Sequence, residues 1–174
     1  MRIQGIDFRI QPFDRQKHDR SGFSCGIGEL DQYLRKQMSQ DRQRSIAAPF
    51  VLCREEPPDI LGYYTLSSMS IDLGSLPEET SKKLPRHPEI PATLIGRLAV
   101  DLRWRNMGLG EYLLLDALSR SWSQSHTIGA FAVIVRAKDE RPRQFYARYG
   151  FRPFPDHPAH MFLPMHIVKK IFSE

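Results

Sequence analysis

The residues with the clearest chemical potential lie at positions 105–110, where the sequence has the pattern Arg-x-x-Gly-x-Gly. They follow an apolar run at residues 94–102 and precede a helix-like segment at residues 111–122. A turn between a strand and a helix directs several backbone N–H groups and the positive end of the helix at one point. Gly108 and Gly110 let the backbone approach a ligand without an intervening Cβ atom. The pattern therefore predicts a site for the diphosphate of a cofactor.

The composition is that of a globular chain with a basic balance. A length of 174 residues suffices for a real core, and we expect a single domain over residues 1–174. Hydrophobic residues make up 41% and charged residues 26%, which is ordinary for a soluble protein. The formal net charge of +5 favours an anionic partner such as nucleic acid, although a surplus of solvated lysine and arginine gives the same charge.

Several classes of protein are disfavoured. Cys25 and Cys53 lie far apart, in neither metal-binding nor redox spacing, and are expected to be inert thiols. The histidines at 157, 160 and 166 match no common metal site, so no metal is expected. Residues 1–7 carry no apolar run and no segment approaches membrane-spanning length. We therefore expect a cytoplasmic protein without a membrane partner.

Hydrophobic periodicity predicts a mixed α/β domain around the turn. Leu30, Leu34 and Met38 recur at i, i+4 and i+8, which predicts a helix with one apolar stripe after a turn at residues 25–28. The runs at 93–102 and 129–135 are apolar enough for strands buried on both faces. Other strands are predicted at residues 6–12, 49–53 and 60–73, and a closing strand at 161–163 with 165–167. Other helices are predicted at residues 111–122 and 139–149. A turn is predicted at residues 55–59, and a loop with at most one short helix at 74–91.

The position and pattern of the glycine turn disfavour two familiar nucleotide sites. In a dinucleotide-binding fold the glycine turn follows the first strand, whereas here it lies past the middle of the chain. The pattern also lacks the Lys-Ser/Thr ending of a nucleoside-triphosphate loop. A hydrolytic triad built on Ser67, Ser68 or Ser70 is weaker still, because no strand–nucleophile–helix elbow frames these serines.

Three segments together resemble the GCN5-related N-acetyltransferases (GNAT): Leu98-Ala99-Val100, the Arg-x-x-Gly-x-Gly turn, and Phe145-Tyr146-x-x-x-Gly150-Phe151. More narrowly, the chain resembles the acetyltransferase toxins of type II toxin–antitoxin systems, and that similarity covers nearly the whole chain. The segments that carry it are Phe23-x-Cys25-Gly26, Leu30-Asp31-x-Tyr33-Leu34, Gln40-Asp41, residues 62–67, Leu84-Pro85-Arg86, residues 96–101 and residues 137–140.

The resemblance implies the GNAT acyltransferase fold and acetyl-CoA as co-substrate. In this family the diphosphate rests on the turn amides, and the pantetheine arm pairs with a strand edge in a slot where two strands splay apart. The residues implied to bind the cofactor are Leu98, Ala99, Val100, Arg105, Asn106, Met107, Gly108, Leu109, Gly110 and Glu111. Asn106 and Met107 occupy positions that are often glycine or basic in the family. Their side chains are expected to point to solvent and leave cofactor binding intact.

Tyr146 is the candidate proton donor for the departing thiolate. A phenol has an ordinary pKa of about 10, so it is protonated at neutral pH and can protonate the sulfur. Without the resemblance, Tyr146 would be interpreted as a core aromatic. Backbone N–H groups of residues 98–100 are candidates for polarising the thioester oxygen. The general base is not evident, and Asp101, Asp139 and Glu140 all stay open.

The resemblance also implies the substrate, because toxins of this type acetylate the α-amino group of aminoacyl-tRNA and block translation. An α-amino group has a pKa of about 8, against about 10.4 for lysine, and so needs less help from a base. Phosphate contacts dominate RNA affinity and require basic side chains. The candidates are Arg35, Lys36, Arg42, Arg44, Lys82, Lys83, Arg86 and Arg97.

The implied partners are a small DNA-binding antitoxin of the ribbon-helix-helix type, whose tail covers the active cleft, and a second copy of the chain in a homodimer. Two other functions stay open. One is acetylation of a protein or small-molecule amine on the same scaffold. The other is a non-catalytic module that senses acetyl-CoA or binds nucleic acid.

Overall fold

The computed structural model describes residues 2–3, 6–54 and 58–173, with side chains from residue 6 onward. Its strands are β1 (Arg2–Ile3), β2 (Ile6–Pro12), β3 (Ala48–Arg54), β4 (Ile60–Asp72), β5 (Glu89–Val100), β6 (Ala132–Arg136), β7 (Arg152–Pro153) and β8 (His160–Pro164). Its helices are α1 (Gly28–Gln32), α2 (Met38–Gln43), α3 (Glu78–Ser81), α4 (Leu109–Ser125), α5 (Glu140–Ala147) and α6 (Met165–Ile171). A π-helical segment, Tyr33–Gln37, joins α1 to α2, and 3-10 turns lie at Leu73–Ser75 and Leu102–Trp104. The predicted mixed α/β class is confirmed.

The chain forms two compact units, each assembled from two stretches of sequence. The first unit comprises Met1–Ser67 and Gly96–Ala117, and the second comprises Ser68–Ile95 and Leu118–Glu174. Strands β4 and β5 and helix α4 each begin in one unit and end in the other.

The first unit contains strands in the order β1-β2-β3-β4-β5. Each pair from β1 to β4 is antiparallel, and the β3–β4 ladder shifts register between Leu52 and Cys53. At the end of β5, the backbone N–H of Asp101 donates to the carbonyl oxygen of Leu61 at 2.8 Å. The core of this unit consists of Phe13, Phe23, Cys25, Tyr33, Leu34, Met38, Val51, Ile60, Tyr63 and Ala99, with Leu30 packed against it.

The predicted apolar stripe of the first helix is confirmed, but the helix is not a regular α-helix. Leu34 and Met38 are fully buried, and Leu30 packs against the same core. A repeat of four residues drifts around an α-helix, which has 3.6 residues per turn. The π-helical turn between α1 and α2 has i→i+5 hydrogen bonds and therefore a wider turn. This wider turn keeps the side chains of Leu30, Leu34 and Met38 packed against the core. The spacing of the three residues did not indicate a π-helical turn.

The second unit contains strands in the order β4-β5-β6-β8-β7. Residues Ala92 to Ile95 of β5 pair in parallel with β6, while β6 and β8 are antiparallel. Residues 132–135 are all buried, as predicted for a strand that is covered on both faces. The core of this unit consists of Ile71, Leu76, Ile90, Ala92, Ala132, Ile134, Phe154 and Phe162.

Three sequence predictions differ from the structure. The closing strand ends at Pro164, and residues 165–167 begin helix α6 instead of continuing it. Pro164 precedes the helix, and the fully buried Val168 lies one turn into it, a spacing that a three-residue pattern could not show. Strand β5 begins at Glu89, so the loop is shorter than expected, and β6 begins at Ala132 instead of 129. Residues 55–57 of the predicted turn at 55–59 lie outside the described residues.

Gly62 marks a close approach of backbone and side chains in the first unit. A Cβ atom at this position would lie 2.8 Å from Cδ1 of Leu113 and 2.9 Å from the carbonyl oxygen of Ala99. Both distances are well below van der Waals contact, and the Ala99 oxygen belongs to strand backbone that moves only if β5 moves. Glycine at this position therefore allows the end of β5 and the first turns of α4 to pack closely against β4.

Replacing Gly62 with alanine should lower the free energy of unfolding by about 1–3 kcal/mol, the usual cost of forcing a methyl group into filled space. Urea denaturation followed by circular dichroism measures the change. Gly28→Ala is the matched control, since a Cβ atom there meets nothing within 4 Å. Equal stability of the two variants would contradict the steric argument.

Candidate functional site

The glycine turn has the backbone geometry of an anion site. Strand β5 ends at Val100, the 3-10 turn follows, and α4 begins at Leu109, which is buried. Asn106 and Gly108 have φ values of 62° and 77°, in the left-handed region that glycine, and to a lesser extent asparagine, tolerates. Helix geometry leaves the first N–H groups of the 17-residue α4 without intrahelical acceptors. A Cβ atom at Gly108 would meet nothing within 4 Å, so the space beside the turn is open to a ligand.

The two residues that depart from the family pattern occupy this turn differently. Asn106 is exposed, as expected, whereas Met107 is half-buried. The Arg105 side chain donates from Nη2 to the carbonyl oxygen of Cys25 at 2.5 Å. Its guanidinium therefore holds the turn in place, and its backbone N–H donates to the carbonyl oxygen of Leu102 at 3.4 Å, so the contribution expected from Arg105 to cofactor binding is not evident in this conformation.

A buried carboxylate fixes the start of the turn. Asp101 is 1% exposed and accepts hydrogen bonds from the Arg103 N–H and Nε at 2.9 Å, from Arg103 Nη2 at 3.0 Å, and from the Ser24 N–H at 3.2 Å. Burial alone would raise the pKa of this carboxyl, but the bonds from Arg103 and Ser24 outweigh it and hold the pKa below its usual value. Asp101 is thus a paired anion and a poor candidate for the general base.

The segment before α1 packs against the same turn. The Leu102 N–H donates to the carbonyl oxygen of Ser24 at 2.9 Å, and a Cβ atom at Gly26 would lie 3.4 Å from Cδ2 of Leu102. The carboxylate of Asp31 accepts from the Cys25 N–H at 2.8 Å and from Ser24 Oγ at 2.9 Å. Sequence reasoning missed the contacts with Leu102, because Ser24 and Gly26 lie far from it in the chain.

Arg97 is held by an aromatic ring. Its guanidinium carbon lies 3.6 Å from the centroid of the Tyr33 ring, and the Tyr33 hydroxyl donates to Asp41 at 3.0 Å. Burial and the Asp41 bond raise the pKa of Tyr33, so its hydroxyl stays protonated. The guanidinium N–H groups of Arg97 have no hydrogen-bond partner among the described residues. They are therefore available to an anion or another acceptor.

Tyr146 lies on α5 in the second unit and is 7% exposed. Its ring packs against Phe151 with the centroids 5.4 Å apart. Within the described part of the chain, no group forms a hydrogen bond with its hydroxyl, and burial raises its pKa. This phenol is therefore protonated at neutral pH and free to bond to a ligand, as a proton donor must be.

The basic candidates fall into two groups that occupy different units. In the first unit, Arg35 donates to the Phe23 carbonyl at 2.8 Å and Arg42 donates to the Phe13 carbonyl, while Lys36 and Arg44 are exposed. In the second unit, Lys82 pairs with Glu78 at 2.5 Å, and Lys83 and Arg86 are exposed. Pairing with carbonyl oxygens fixes Arg35 and Arg42 without cancelling their charge.

Other chemistries find no support among residues 6–54 and 58–173. No group of histidine, cysteine and acidic side chains there can hold a metal ion. Cys25 and Cys53 are unpaired and buried, and burial raises the pKa of Cys25 to about 11. None of the described helices is long and apolar enough to cross a membrane.

Comparison with known proteins shows to which family the chain belongs. A family model described as an acetyltransferase (GNAT) domain matches residues 90–165. A probable toxin TacT of Sinorhizobium fredii is 32% identical over 171 residues, which cover 94% of each chain. This chain belongs to the GNAT acetyltransferase toxins. A tRNA-acetylating toxin of Mycobacterium tuberculosis is 32% identical over 156 residues, covering 90% of this chain and 92% of that protein.

Solved structures agree with this assignment. AtaT complexed with acetyl-methionyl-tRNAfMet has a TM-score of 0.89 and 29% identity, over 96% of this chain and 100% of that one. A mutant AtaT toxin bound to the C-terminus of its antitoxin AtaR and to acetyl-CoA has a TM-score of 0.83 and 26% identity, over 97% of this chain and 99% of that one. The predicted GNAT fold and acetyl-CoA co-substrate are confirmed, and the protein is an acetyl-CoA-dependent N-acetyltransferase. The roles of individual residues stay predictions.

Replacing Asp101 with asparagine should make the acetyltransferase about 1–3 kcal/mol less stable at pH 7, because charged hydrogen bonds to Arg103 become neutral ones. The lowered pKa means that the carboxylate stabilises the fold above a pH of about 4 and loses this effect as the pH falls through the folded-state pKa. The stability gap between wild type and variant should therefore close on acidification. Urea denaturation at pH 7, 5 and 3 measures it.

Asp72→Asn is the matched control, since Asp72 caps the other 3-10 turn by accepting from the Gly74 N–H at 2.7 Å without a guanidinium partner. Asparagine caps about as well as aspartate, so this variant should stay close to wild type. A gap for Asp101→Asn that is constant from pH 3 to pH 7 would show that the ion pair is not its cause.

Proposed function

We propose that this acetyltransferase transfers the acetyl group of acetyl-CoA to the α-amino group of aminoacyl-tRNA, and so acts as a translation-blocking toxin of a type II toxin–antitoxin pair. One observation carries the proposal. The GNAT domain match covers residues 90–165, whereas the likeness to a tRNA-acetylating toxin and to tRNA-bound AtaT extends over nearly the whole chain. The likeness therefore extends over the segment of the N-terminal helices as well as over the acetyl-CoA segment.

The cofactor residues divide into a turn and a strand. The backbone N–H groups of residues 106–111 hold the diphosphate, helped by the positive end of α4. Leu98, Ala99 and Val100 pair through their backbone with the pantetheine arm, and their N–H groups polarise the thioester oxygen. Acetyl-CoA supplies an acyl group already activated for attack by an amine.

Tyr146 donates the proton that the departing thiolate needs. Its hydroxyl is the polar group of a nearly buried side chain and has no protein partner to compete for it. The raised pKa means that this phenol carries its proton at neutral pH. Positioned proton transfer from such a group contributes about 10²–10⁴-fold to a rate.

The amine requires little help to lose its proton. The α-amino group of an aminoacyl ester is partly neutral at pH 7, since α-amino groups have a pKa of about 8. Asp101 is committed to Arg103. Of the three carboxylates that the sequence left open, Asp139 and Glu140 at the start of α5 have no guanidinium partner among the described residues and stay candidates to receive that proton, although Glu140 also accepts from Gln144 at 3.1 Å.

Arg97 and the basic residues of both units bind the RNA. The Tyr33 ring orients the Arg97 guanidinium, which leaves its N–H groups for a phosphate of the acceptor end. The exposed charges of Lys36, Arg44, Lys83 and Arg86 supply the less specific attraction that dominates RNA affinity and weakens with salt.

The same proposal includes the partners. Its support is that a similar toxin, AtaT, is known in complex with the C-terminus of its antitoxin AtaR. We assign this chain a small DNA-binding antitoxin of the ribbon-helix-helix type, a homodimeric state, and the cytoplasm, where charged tRNA is found.

Incubation with radiolabelled acetyl-CoA and total charged tRNA should label the aminoacyl end of tRNA. Mild alkaline hydrolysis should then release the label as N-acetyl-amino acid, because the ester to ribose breaks and the new amide does not. Deacylated tRNA is the matched control and should stay unlabelled. Label found instead on peptides or free amines would favour the other acetyltransferase function, and acetyl-CoA binding without turnover would favour a sensor.

Replacing Tyr146 with phenylalanine should lower the acetylation rate by about 10²-fold or more and abolish growth inhibition, since only the proton donor is lost. Acetyl-CoA affinity, measured by calorimetry, should change little. Tyr149→Phe removes the neighbouring hydroxyl of the same segment and should retain activity. Full toxicity of the Tyr146 variant would refute the proton-donor role.

A further inference from the structure

Arg20 bonds to the π-helical segment that interrupts the first helix. Its Nη1 donates to the carbonyl oxygens of Leu34 and Arg35 at 3.4 and 3.1 Å. It also donates to Ser39 Oγ, in α2, at 3.3 Å. A helix that changes its hydrogen-bonding period can leave carbonyl oxygens without their usual backbone donors, and a side chain can replace those donors. Arg20 therefore connects the π-helical segment to α2.

A second arginine joins the same two parts of the chain in the opposite direction. Arg35, within the π-helical segment, donates from Nη2 to the carbonyl oxygen of Phe23 at 2.8 Å. Residues 20–23 and the π-helical segment thus bond to each other from both sides. All the acceptors are uncharged, so these bonds fix the geometry without forming ion pairs.

The π-helical segment determines which residues of the first helix share a face. Residues eight apart in a continuous α-helix lie about 80° apart around its axis, since each residue turns by about 100°. A π-helical turn adds one residue, so Tyr33 and Asp41 are related as residues seven apart, about 20° from alignment. In the structure the Tyr33 hydroxyl donates to Asp41 at 3.0 Å. This bond therefore depends on the irregular turn.

Tyr33 passes this alignment on to Arg97. The Tyr33 side chain is buried, and its ring stacks on that of Tyr63 with the centroids 6.1 Å apart. The guanidinium carbon of Arg97 lies 3.6 Å from the centroid of the Tyr33 ring. The face of an aromatic ring attracts a cation, so the place of the ring determines the place of the guanidinium.

We propose that Arg20 is a positioning residue for Arg97. Its bonds to the π-helical segment keep the helix phase that aligns Tyr33 with Asp41. The Tyr33 ring then holds the Arg97 guanidinium ready for a phosphate of the RNA, and this last step rests on the proposed function. All of these residues belong to the first unit.

The first test is nuclear magnetic resonance of the free protein. The Arg97 guanidinium lies over an aromatic ring, so the ring current shifts its Nε–H signal upfield, and Arg97→Lys identifies the signal by removing it. Arg20→Met should move the signal back towards those of other arginines, as Tyr33→Leu should by removing the ring. Arg15→Met is the matched control, an exposed arginine of the same N-terminal segment, and should leave the signal in place.

An unmoved Arg97 signal in Arg20→Met would overturn the proposal. Should Arg20→Met fail to fold, Arg20→Lys decides. Lysine keeps the charge but not the planar arrangement of donors, so about half of the upfield shift should remain. A full wild-type shift in that variant would likewise count against the positioning role.

The second test is acetylation kinetics with charged tRNA as the varied substrate. Arg20→Met should raise the KM for charged tRNA about tenfold, the usual effect of one lost charged hydrogen bond. A phosphate contact that is equal in the ground state and the transition state changes KM alone, so kcat should stay within about twofold of wild type. Arg15→Met should stay within about twofold in both constants.

A double-mutant cycle shows whether Arg20 acts through Arg97. If it does, Arg20→Met adds nothing to the raised KM of Arg97→Met. Effects that multiply would mean that Arg20 meets the RNA by itself, and they would overturn the positioning role, as would an unchanged KM in Arg20→Met. A wild-type protein that leaves charged tRNA unmodified would refute the proposed function instead, and the Arg97 signal of the free protein would still decide the role of Arg20.

Discussion

The carboxylate of Asp101 accepts hydrogen bonds from Arg103 and Ser24 at the point where strand β5 gives way to the glycine turn. The rest of the cofactor segment depends on this interaction, because it sets where the strand stops and the turn begins. Gly62 fixes the same strand from its β4 side, since no side chain fits between it and Ala99. A bend with open space and left-handed residues is thereby held in one conformation before a ligand arrives.

Side chains and backbone have separate tasks in this segment. Arg103 and Arg105, which charge alone would assign to a phosphate, bond to Asp101 and to the Cys25 carbonyl. The anion is therefore assigned to the main-chain N–H groups of residues 106–111, which follow these two arginines. The opposite holds for Tyr146, whose side-chain hydroxyl has no protein partner among the described residues. Acetyl transfer of this kind needs a fixed donor array for the cofactor and a few free polar side chains for the chemistry.

The sequence was sufficient for features that are local. Glycines at 108 and 110 between an apolar strand and a helix predicted the turn, and uninterrupted apolar residues predicted the buried strand β6. Features that depend on residues far apart in the chain could not be predicted from the sequence. Asp101 looked like a possible base until its bonds to Ser24 and Arg103 were known. The π-helical segment within the first helix likewise arises from three-dimensional packing, which a pattern of residue types does not encode.

The interleaving of the two units has a consequence for synthesis on the ribosome. Strands β4 and β5 and helix α4 each pass between units, so the first unit is complete only after Ala117 has been made, and the second also requires the residues from Leu118 onward. A nascent chain that has emerged only as far as α4 lacks the helix that carries Tyr146, and it lacks β8, which completes the pairing of β6. With the function proposed above, the protein becomes competent to block translation only after the residues up to and including β8 have been made.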